Sequence, residues 1–392
     1  MLCRPYCCRA GSACRRATTG SKSELSIAAS DPLAVIASEA PRLSEADAAR
    51  LVLQHWGLEV CCERLVSERD QNFRLQTGTG TRLVLKIANS VEDPLVTDFQ
   101  VQALLHIERF QESRHTPLRT PQIRRTVDGE TQVAFEHEGQ QHAARIVSYL
   151  EGVPLENIST GSKLCRNLGI FLAHLGLALE HFEYPAASHP LLWDMREALN
   201  LRELLRFVTD PDVREAVALS LDDFELHALP SFATLRSQVI HNDFNPGNVL
   251  IEAGDTNAVA GVIDFGDMMR SPLVVDVAIG AAYLRAPDGD PLQQVAEFLA
   301  GYHSVRRLLG VEIELLFDLI RARLCATISI LHWRAAVRGD DDPYLQSSAM
   351  AESSAERFLQ RLMEIPRQHA ASVLRQVCAS ERERSRRADP QT

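Results

Sequence analysis

From Val239 to Asp267 the chain reads VIHNDFNPGNVLIEAGDTNAVAGVIDFGD: short apolar runs on either side of one polar loop, then a second polar block. Runs of this length, broken by Asn-Pro-Gly and Ala-Gly-Asp, predict buried strands separated by turns. The loop holds His241, Asp243 and Asn248, and the run Ala258–Ile263 delivers Asp264 into Asp-Phe-Gly-Asp. These residue types suit one chemistry. A hydroxyl attacking a γ-phosphate needs a carboxylate to orient it and accept its proton, and Asp243 is suited to that. The clustered charge of a nucleotide needs Mg²⁺, a hard ion that wants oxygen ligands, which the Asn248 amide and the Asp264 carboxylate can supply. A hairpin with polar turn residues accounts for any one of these positions. It does not account for four of them in this order between strands.

Asp243 and Asn248 stand five apart, as Asp and Asn do in the kinase catalytic loop. The segment resembles the aminoglycoside phosphotransferase-type small-molecule kinases, a branch of the protein-kinase-like fold. They carry His-x-Asp-x-x-x-x-Asn followed by an Ile-Asp-Phe/Trp-Gly/Glu block. Here His241-Asn242-Asp243 replaces the His-Arg-Asp of protein kinases and no Ala-Pro-Glu follows Asp264, which disfavours a protein substrate. Within the family, four passages look most like the hydroxylysine kinases: Asp70–Phe73, Leu191–Asp194, Ile263–Asp267 and Asp342–Leu345. The likeness runs from about residue 31 to about residue 365. It implies an α+β class, bilobal protein-kinase-like fold. A small β-rich N-lobe would span 31–150, with a hinge near 148–152, and a larger, mainly helical C-lobe would span 151–375.

The resemblance also implies roles. Lys86, in Leu-Val-Leu-Lys-Ile, matches the strand lysine that contacts the donor's phosphates, and Gln100 stands where a helix glutamate usually pairs with it. The turn 67–72 is the expected phosphate cover; it lacks glycine, and Asn72 is its candidate phosphate contact. Backbone groups from Ser148 to Leu150 would read the base of GTP or ATP. His241 is read as ordering the catalytic loop and Asp276 as bracing it. The lead acceptor is 5-hydroxy-L-lysine. Asp267, Asp194 and Asp342 are candidates for its ammonium groups and Arg323 for its carboxylate. Homoserine, choline, an aminoglycoside or another amino alcohol stays open as acceptor, and so does a non-catalytic binding module with a kinase fold.

A net charge of −11 argues against a nucleic-acid partner, which would require a basic surface. No apolar run is long enough to span a membrane, so a soluble, cytoplasmic enzyme is expected. Residues 1–30 differ from the rest: four of the nine cysteines and five basic residues face a single acid. They lack paired Cys-x-x-Cys spacing and read as a disordered extension. The cysteines at 61, 62, 165, 325 and 378 lie mostly in apolar surroundings and suit buried thiols of a reducing compartment.

Ser44 is a plausible N-cap for a helix reaching His55, ahead of Gly57. Val60–Val66, Phe73–Thr77 and Arg82–Ile87 read as strands, the last two joined by a Thr-Gly-Thr-Gly hairpin turn. A helix over 95–110, a hairpin over Val127–Ala134 and His142–Tyr149, and an amphipathic helix from Leu164 to Phe182 follow. Helical blocks are expected over 189–236 and 291–338, with a last helix from Ser347 to Met363 and a charged tail over 376–392.

Overall fold

A computed structural model of the chain describes residues 40–67, 69–114, 118–338 and 343–388. The extension at 1–30 and Asp342 lie outside the described residues. Helix α1 (Glu45–Trp56) starts where the sequence places its cap. The Ser44 hydroxyl accepts the Asp47 N–H at 3.1 Å, and the Asp47 carboxylate accepts the Ser44 N–H at 3.3 Å. Gly57, at φ 64°, supplies the left-handed turn that ends the helix.

An antiparallel sheet follows. Strands β1 (Val60–Leu65), β2 (Gln71–Thr77) and β3 (Arg82–Ile87) run side by side. β4 (Ile123–Arg124), β5 (Val133–His137) and β6 (Gln140–Ser148) complete it in the order β1-β2-β3-β6-β4, with β5 also paired to β6. Phe73 and Leu75 alternate with Leu83, Leu85 and Ile87 on one face and bury against Val52 and Trp56 of α1. Because the side-chain period of a strand is two, that burial turns Lys86 to the opposite face. The expected strand at Val127–Ala134 begins later, at Val133, because Thr126 and Glu130 close a turn first (Thr126 N–H to Glu130 O, 2.9 Å).

Helix α2 (Pro94–Arg114) carries Phe99 against Phe182 and Tyr184, with ring centroids 6.0 and 5.7 Å apart. Beyond β6 the chain enters β7 (Val153–Pro154), which pairs with β9 (Val249–Glu252) of a second sheet. The remaining core is helical: α3 (Ser162–Ala178), α4 (Pro211–Asp223), α5 (Leu273–Ala282), α6 (Gln293–Val305), α7 (Gly310–Arg338), α8 (Pro343–Met363) and α9 (Arg367–Ala388). Between α3 and α4, Met195–Phe207 winds as 3₁₀ turns where a helical block was expected. Helix α7 is buried on every side over most of its length, so it shows no single apolar face. Among the described residues, no helix is long and apolar enough to cross a membrane.

Residues 376–388 do not form a tail. Ala370, Leu374 and Cys378 recur four residues apart, and this stripe buries α9 on the helical core. Glu381 is buried too, accepting from Arg166 at 2.5 Å. Of the cysteines at 61, 62, 165, 325 and 378, the last three are buried, while Cys61 is exposed and Cys62 half-buried on β1.

Two glycines let α3 and α6 touch. A Cβ on Gly169 would lie 2.0 Å from the Phe298 carbonyl oxygen, and one on Gly301 would lie 1.9 Å from that of Arg166. Backbone cannot yield as a side-chain tip can. Gly169→Ala is therefore expected to destabilise the fold by about 3 kcal/mol, seen as a lower midpoint in urea unfolding with an unchanged slope.

Candidate active site

Two small sheets hold the polar loop at both ends. β8 (Ser237–Ile240) pairs with β11 (Met269–Pro272), and β9 pairs with β10 (Asp255–Val262). The loop between β8 and β9 is pinned from below by Asp276 of α5. One carboxylate oxygen accepts the His241 N–H at 3.1 Å and the other the Asn242 N–H at 2.9 Å. Asn242 takes φ 63° and Asp264 φ 60°, left-handed geometry that Asn and Asp tolerate and β-branched residues do not.

His241 is fully buried, and burial lowers its pKa. The neutral ring donates from Nε2 to the Ile263 carbonyl at 3.2 Å, leaving Nδ1 to accept the Asp243 N–H at 3.3 Å. With both nitrogens engaged, His241 has no lone pair to take a substrate proton. It ties the loop to the strand end that presents Asp264.

Asp243 faces a cavity of about 640 Å³ that Lys86, Asn248 and Asp264 also line. Asn245 and Asn248 donate their amides to Asp243 Oδ2 at 2.9 and 2.6 Å. Asn245 also caps the turn, accepting the Gly247 and Asn248 N–H groups at 2.8 and 3.1 Å. Burial pushes the Asp243 carboxyl up to about 7; Asp267 adds to the shift and Arg323 opposes it. Asp264 moves the other way: the Lys86 ammonium, 2.8 Å from Oδ1, holds its carboxyl well below the ordinary range. The cavity thus sets a carboxylate of raised basicity opposite one that stays ionised.

Arg323, 2% exposed on α7, reaches Asp243 Oδ1 and the Tyr283 hydroxyl from Nη2, both at 3.4 Å. Its guanidinium lies over Trp193, 4.6 Å from the ring centroid. Asp267 lines the cavity and forms an ion pair with Arg69 of the β1–β2 turn. Asn72 lines it as well, donating to the Ser67 hydroxyl at 3.1 Å.

Two expectations need correction. Gln100 lines the cavity but is not the partner of Lys86. Its carbonyl accepts from Arg145, the β6 neighbour of Lys86, and its amide donates to the Gly266 carbonyl at 3.3 Å. Asp194 does not reach the cavity. It is the N-cap of Met195–Phe207, accepts the Arg196 N–H at 2.9 Å and pairs with the Arg196 guanidinium at 2.7 Å. Ser148 gives its N–H to the Gln122 carbonyl and accepts the Gln122 N–H on its hydroxyl, both at 2.9 Å, which leaves its carbonyl and the backbone of Leu150 as the groups expected to read a base. Neither Ser148 nor Leu150 lines this cavity.

Several cavity residues escaped the sequence reading: Arg69, Asn245, Trp193 as a wall, Tyr283 and Arg285. Asn245 had a signal, since Asn-Pro-Gly marks a turn that an Asn side chain can cap. Arg285 follows the apolar helix α5 with nothing in its neighbours to mark it.

The geometry agrees with what the chain is similar to. It is 27% identical over 355 residues to hydroxylysine kinase of Bos taurus, covering 85% of this chain and 93% of that one. It is 25% identical over 351 residues to hydroxylysine kinase of Mus musculus, covering 84% and 92%. Among solved structures, a microcompartment-associated aminopropanol kinase superposes with a TM-score of 0.60 at 15% identity, covering 86% of this chain and 98% of that one. An amicoumacin kinase in complex with AMP-PNP and Ca²⁺ follows at 0.59 and 14%, covering 81% and 93%. These two show a shared kinase-like fold. The family model described as the phosphotransferase enzyme family (APH) matches residues 62–310, and with a bilobal frame carrying the loop that the family's motif describes, the chain belongs to that family.

Proposed function

We propose that this phosphotransferase transfers the γ-phosphate of GTP or ATP to the side-chain hydroxyl of 5-hydroxy-L-lysine. The observation that carries the reading is that Asp243, Asn248, Asp264 and Lys86 converge on one cavity that Trp193, Tyr283 and Arg285 also line. Similarity over most of the chain to relatives named hydroxylysine kinase supports the acceptor. Free thiols buried at Cys165, Cys325 and Cys378 fit a reducing compartment, and we place the enzyme in the cytoplasm.

Asp243 orients the acceptor hydroxyl and takes its proton. The hydroxyl oxygen bonds to the γ-phosphorus as the bond from phosphorus to the β-phosphate oxygen breaks, and the nucleoside diphosphate leaves. A carboxyl shifted up to about 7 is better matched to that proton than an ordinary one. Lys86 positions the phosphates, exchanging part of its contact with Asp264 for them, and Asn72 lies beside it in the strand register.

Mg²⁺ fits the donor set. Asn248 commits its amide N–H to Asp243, which turns its carbonyl oxygen to other duties, and Asp264 stays ionised. One amide oxygen and one carboxylate is a small set, suited to an ion that keeps waters and phosphate oxygens as its other ligands. When bound, the ion neutralises charge that builds on the transferring phosphoryl group.

Purified protein with Mg²⁺, GTP or ATP, and a panel of hydroxylated amines tests the reading through nucleotide consumption. Turnover that depends on 5-hydroxy-L-lysine is expected, and the same assay reads the preferred donor. Turnover with homoserine, choline or an aminoglycoside alone would reassign the acceptor and keep the chemistry. Nucleotide binding without turnover on any acceptor would favour a non-catalytic module.

A further inference from the structure

We infer that Arg323 is a positioning residue for the reaction: its guanidinium aims Oδ1 of Asp243 into the cavity as the oxygen that takes the acceptor's proton. The inference deepens the proposed function and rests on the reading of Asp243 as the base.

The two oxygens of Asp243 are held differently. Oδ2 accepts the Asn245 and Asn248 amides at 2.9 and 2.6 Å, which uses both of its lone pairs. Oδ1 bonds to a single side chain among the described residues, Arg323, whose Nη2 stands 3.4 Å away. That distance is longer than the usual hydrogen bond, so Oδ1 keeps a lone pair for a hydroxyl in the cavity. The side chain of Asp243 is 19% exposed and that of Arg323 is 2% exposed. A ligand in the cavity therefore meets the carboxylate and not the guanidinium. Arg323 stands behind the base instead of in the place where an acceptor carboxylate was expected to meet it.

Two rings hold the guanidinium. Its Cζ lies 4.6 Å from the centroid of Trp193 and 5.9 Å from that of Tyr283, and Nη2 also reaches the Tyr283 hydroxyl at 3.4 Å. Trp193 and Tyr283 line the cavity, as does Thr327, one turn along α7, which donates its hydroxyl to the Arg323 carbonyl at 3.2 Å. Nε and Nη1 are buried without a hydrogen-bond partner among the described residues. A guanidinium enclosed in this way is costly unless an anion answers its charge, and the Asp243 carboxylate is the ion-pair partner it has. Filling the space between the rings does not require a charge, since an apolar side chain of similar length would do so without that cost. The last torsion of an aspartate is broad and soft. The two amides fix one end of the carboxylate, and Arg323, its place set by the rings, fixes the other.

The test uses the full chain and whichever hydroxylated amine of the panel it phosphorylates. Arg323→Gln is expected to lower kcat by roughly 10- to 100-fold, with the KM values for acceptor and nucleotide kept within about twofold. Arg323→Lys keeps the charge but loses the planar fork, and is expected to recover part of the loss. Added to Asp243→Asn, Arg323→Gln is expected to cost less than about twofold more, because the residue it positions no longer takes a proton. Losses that multiply in the double variant would overturn the inference and leave Arg323 a structural residue. A rise confined to the acceptor's KM would overturn it in favour of carboxylate binding. Crystal structures of wild type and Arg323→Gln read the positioning without turnover. The Asp243 carboxylate is expected to rotate or lose order in the variant, and an unmoved carboxylate would overturn the inference. A protein silent on every acceptor, whose carboxylate still moves on substitution, would sink the reaction and uphold the hold of Arg323 on Asp243. Should Arg323→Gln fail to fold, Tyr283→Phe removes only the hydroxyl beside Nη2. It is expected to lower kcat by about two- to tenfold in the wild-type background and not in Asp243→Asn. Equal losses in both backgrounds would overturn the inference.

Discussion

Asp243→Asn is expected to lower kcat by about 10²- to 10⁴-fold while leaving the dissociation constant for nucleotide nearly unchanged. The substitution keeps the shape of the side chain and removes only its charge and basicity. On the proposed reading, nucleotide binding draws on Lys86, Asn248 and Asp264, which the substitution leaves in place. Stopped-time assays of turnover and calorimetry with a non-hydrolysable nucleotide separate the two effects. Normal turnover by Asp243→Asn would show that another group takes the proton. The wild-type rate carries its own signature. With the Asp243 carboxyl pushed up to about 7, the base is protonated below that pH and ionised above it, so kcat rises as pH increases through about 7. Stability runs the opposite way. A carboxyl whose pKa is raised by folding favours the native state fully below its ordinary pKa, and that contribution is lost as pH rises through about 7. Asp243→Asn is thus expected to melt above wild type at pH near 8 and to lose most of that advantage near pH 5. A melting point equal to wild type at both pH values would remove burial as the source of the shift.

Asp276→Ala is expected to destabilise the fold by about 2–5 kcal/mol, because it strands two buried backbone N–H groups at once. The cost does not stop at stability. His241 and Asn242 hang from that carboxylate at 3.1 and 2.9 Å, and Asp243 is the next residue along. A shift of an ångström in the base costs about 100-fold in rate, so kcat is expected to fall even where the variant is fully folded. Asp276→Asn keeps one accepting oxygen and turns an amide toward the other N–H, and its losses are expected to lie between wild type and Ala. Urea unfolding alongside kcat on folded protein checks both parts. An Asp276→Ala protein as stable and as fast as wild type would show that the loop holds its shape unaided.

The two residues differ in how far the chain alone reveals them. Asp243 declares itself through spacing, since His241, Asp243 and Asn248 share a single loop and need only their neighbours to be recognised. Asp276 stands out as a carboxylate in an apolar helix, which signals a buried partner without naming it. Lys86 lies between: strand alternation places it opposite Leu85 and Ile87, but its partner Asp264 is 178 residues away. Gln100 shows the limit of matching by position. It occupies the expected place on α2, yet the cation it serves is Arg145, because β6 sets a second cation beside Lys86 on the same face of the sheet. Asp194 fails for a local reason visible only with backbone geometry, since this residue, which starts a 3₁₀ turn, spends its carboxylate on the Arg196 N–H and the Arg196 guanidinium.

Local spacing and periodicity, which depend on neighbours a few bonds apart, were enough to set β1 to β3, the cap of α1 and the polar loop between β8 and β9. Pairings over long separations belong to the tertiary structure, because contact between distant segments depends on how whole elements pack. Packing brought Arg323 to Asp243 from 80 residues away and set Arg285 beside it across Tyr283. It also turned the charged C-terminal stretch into a helix, once the core offered the stripe of Ala370, Leu374 and Cys378 a surface on which to bury.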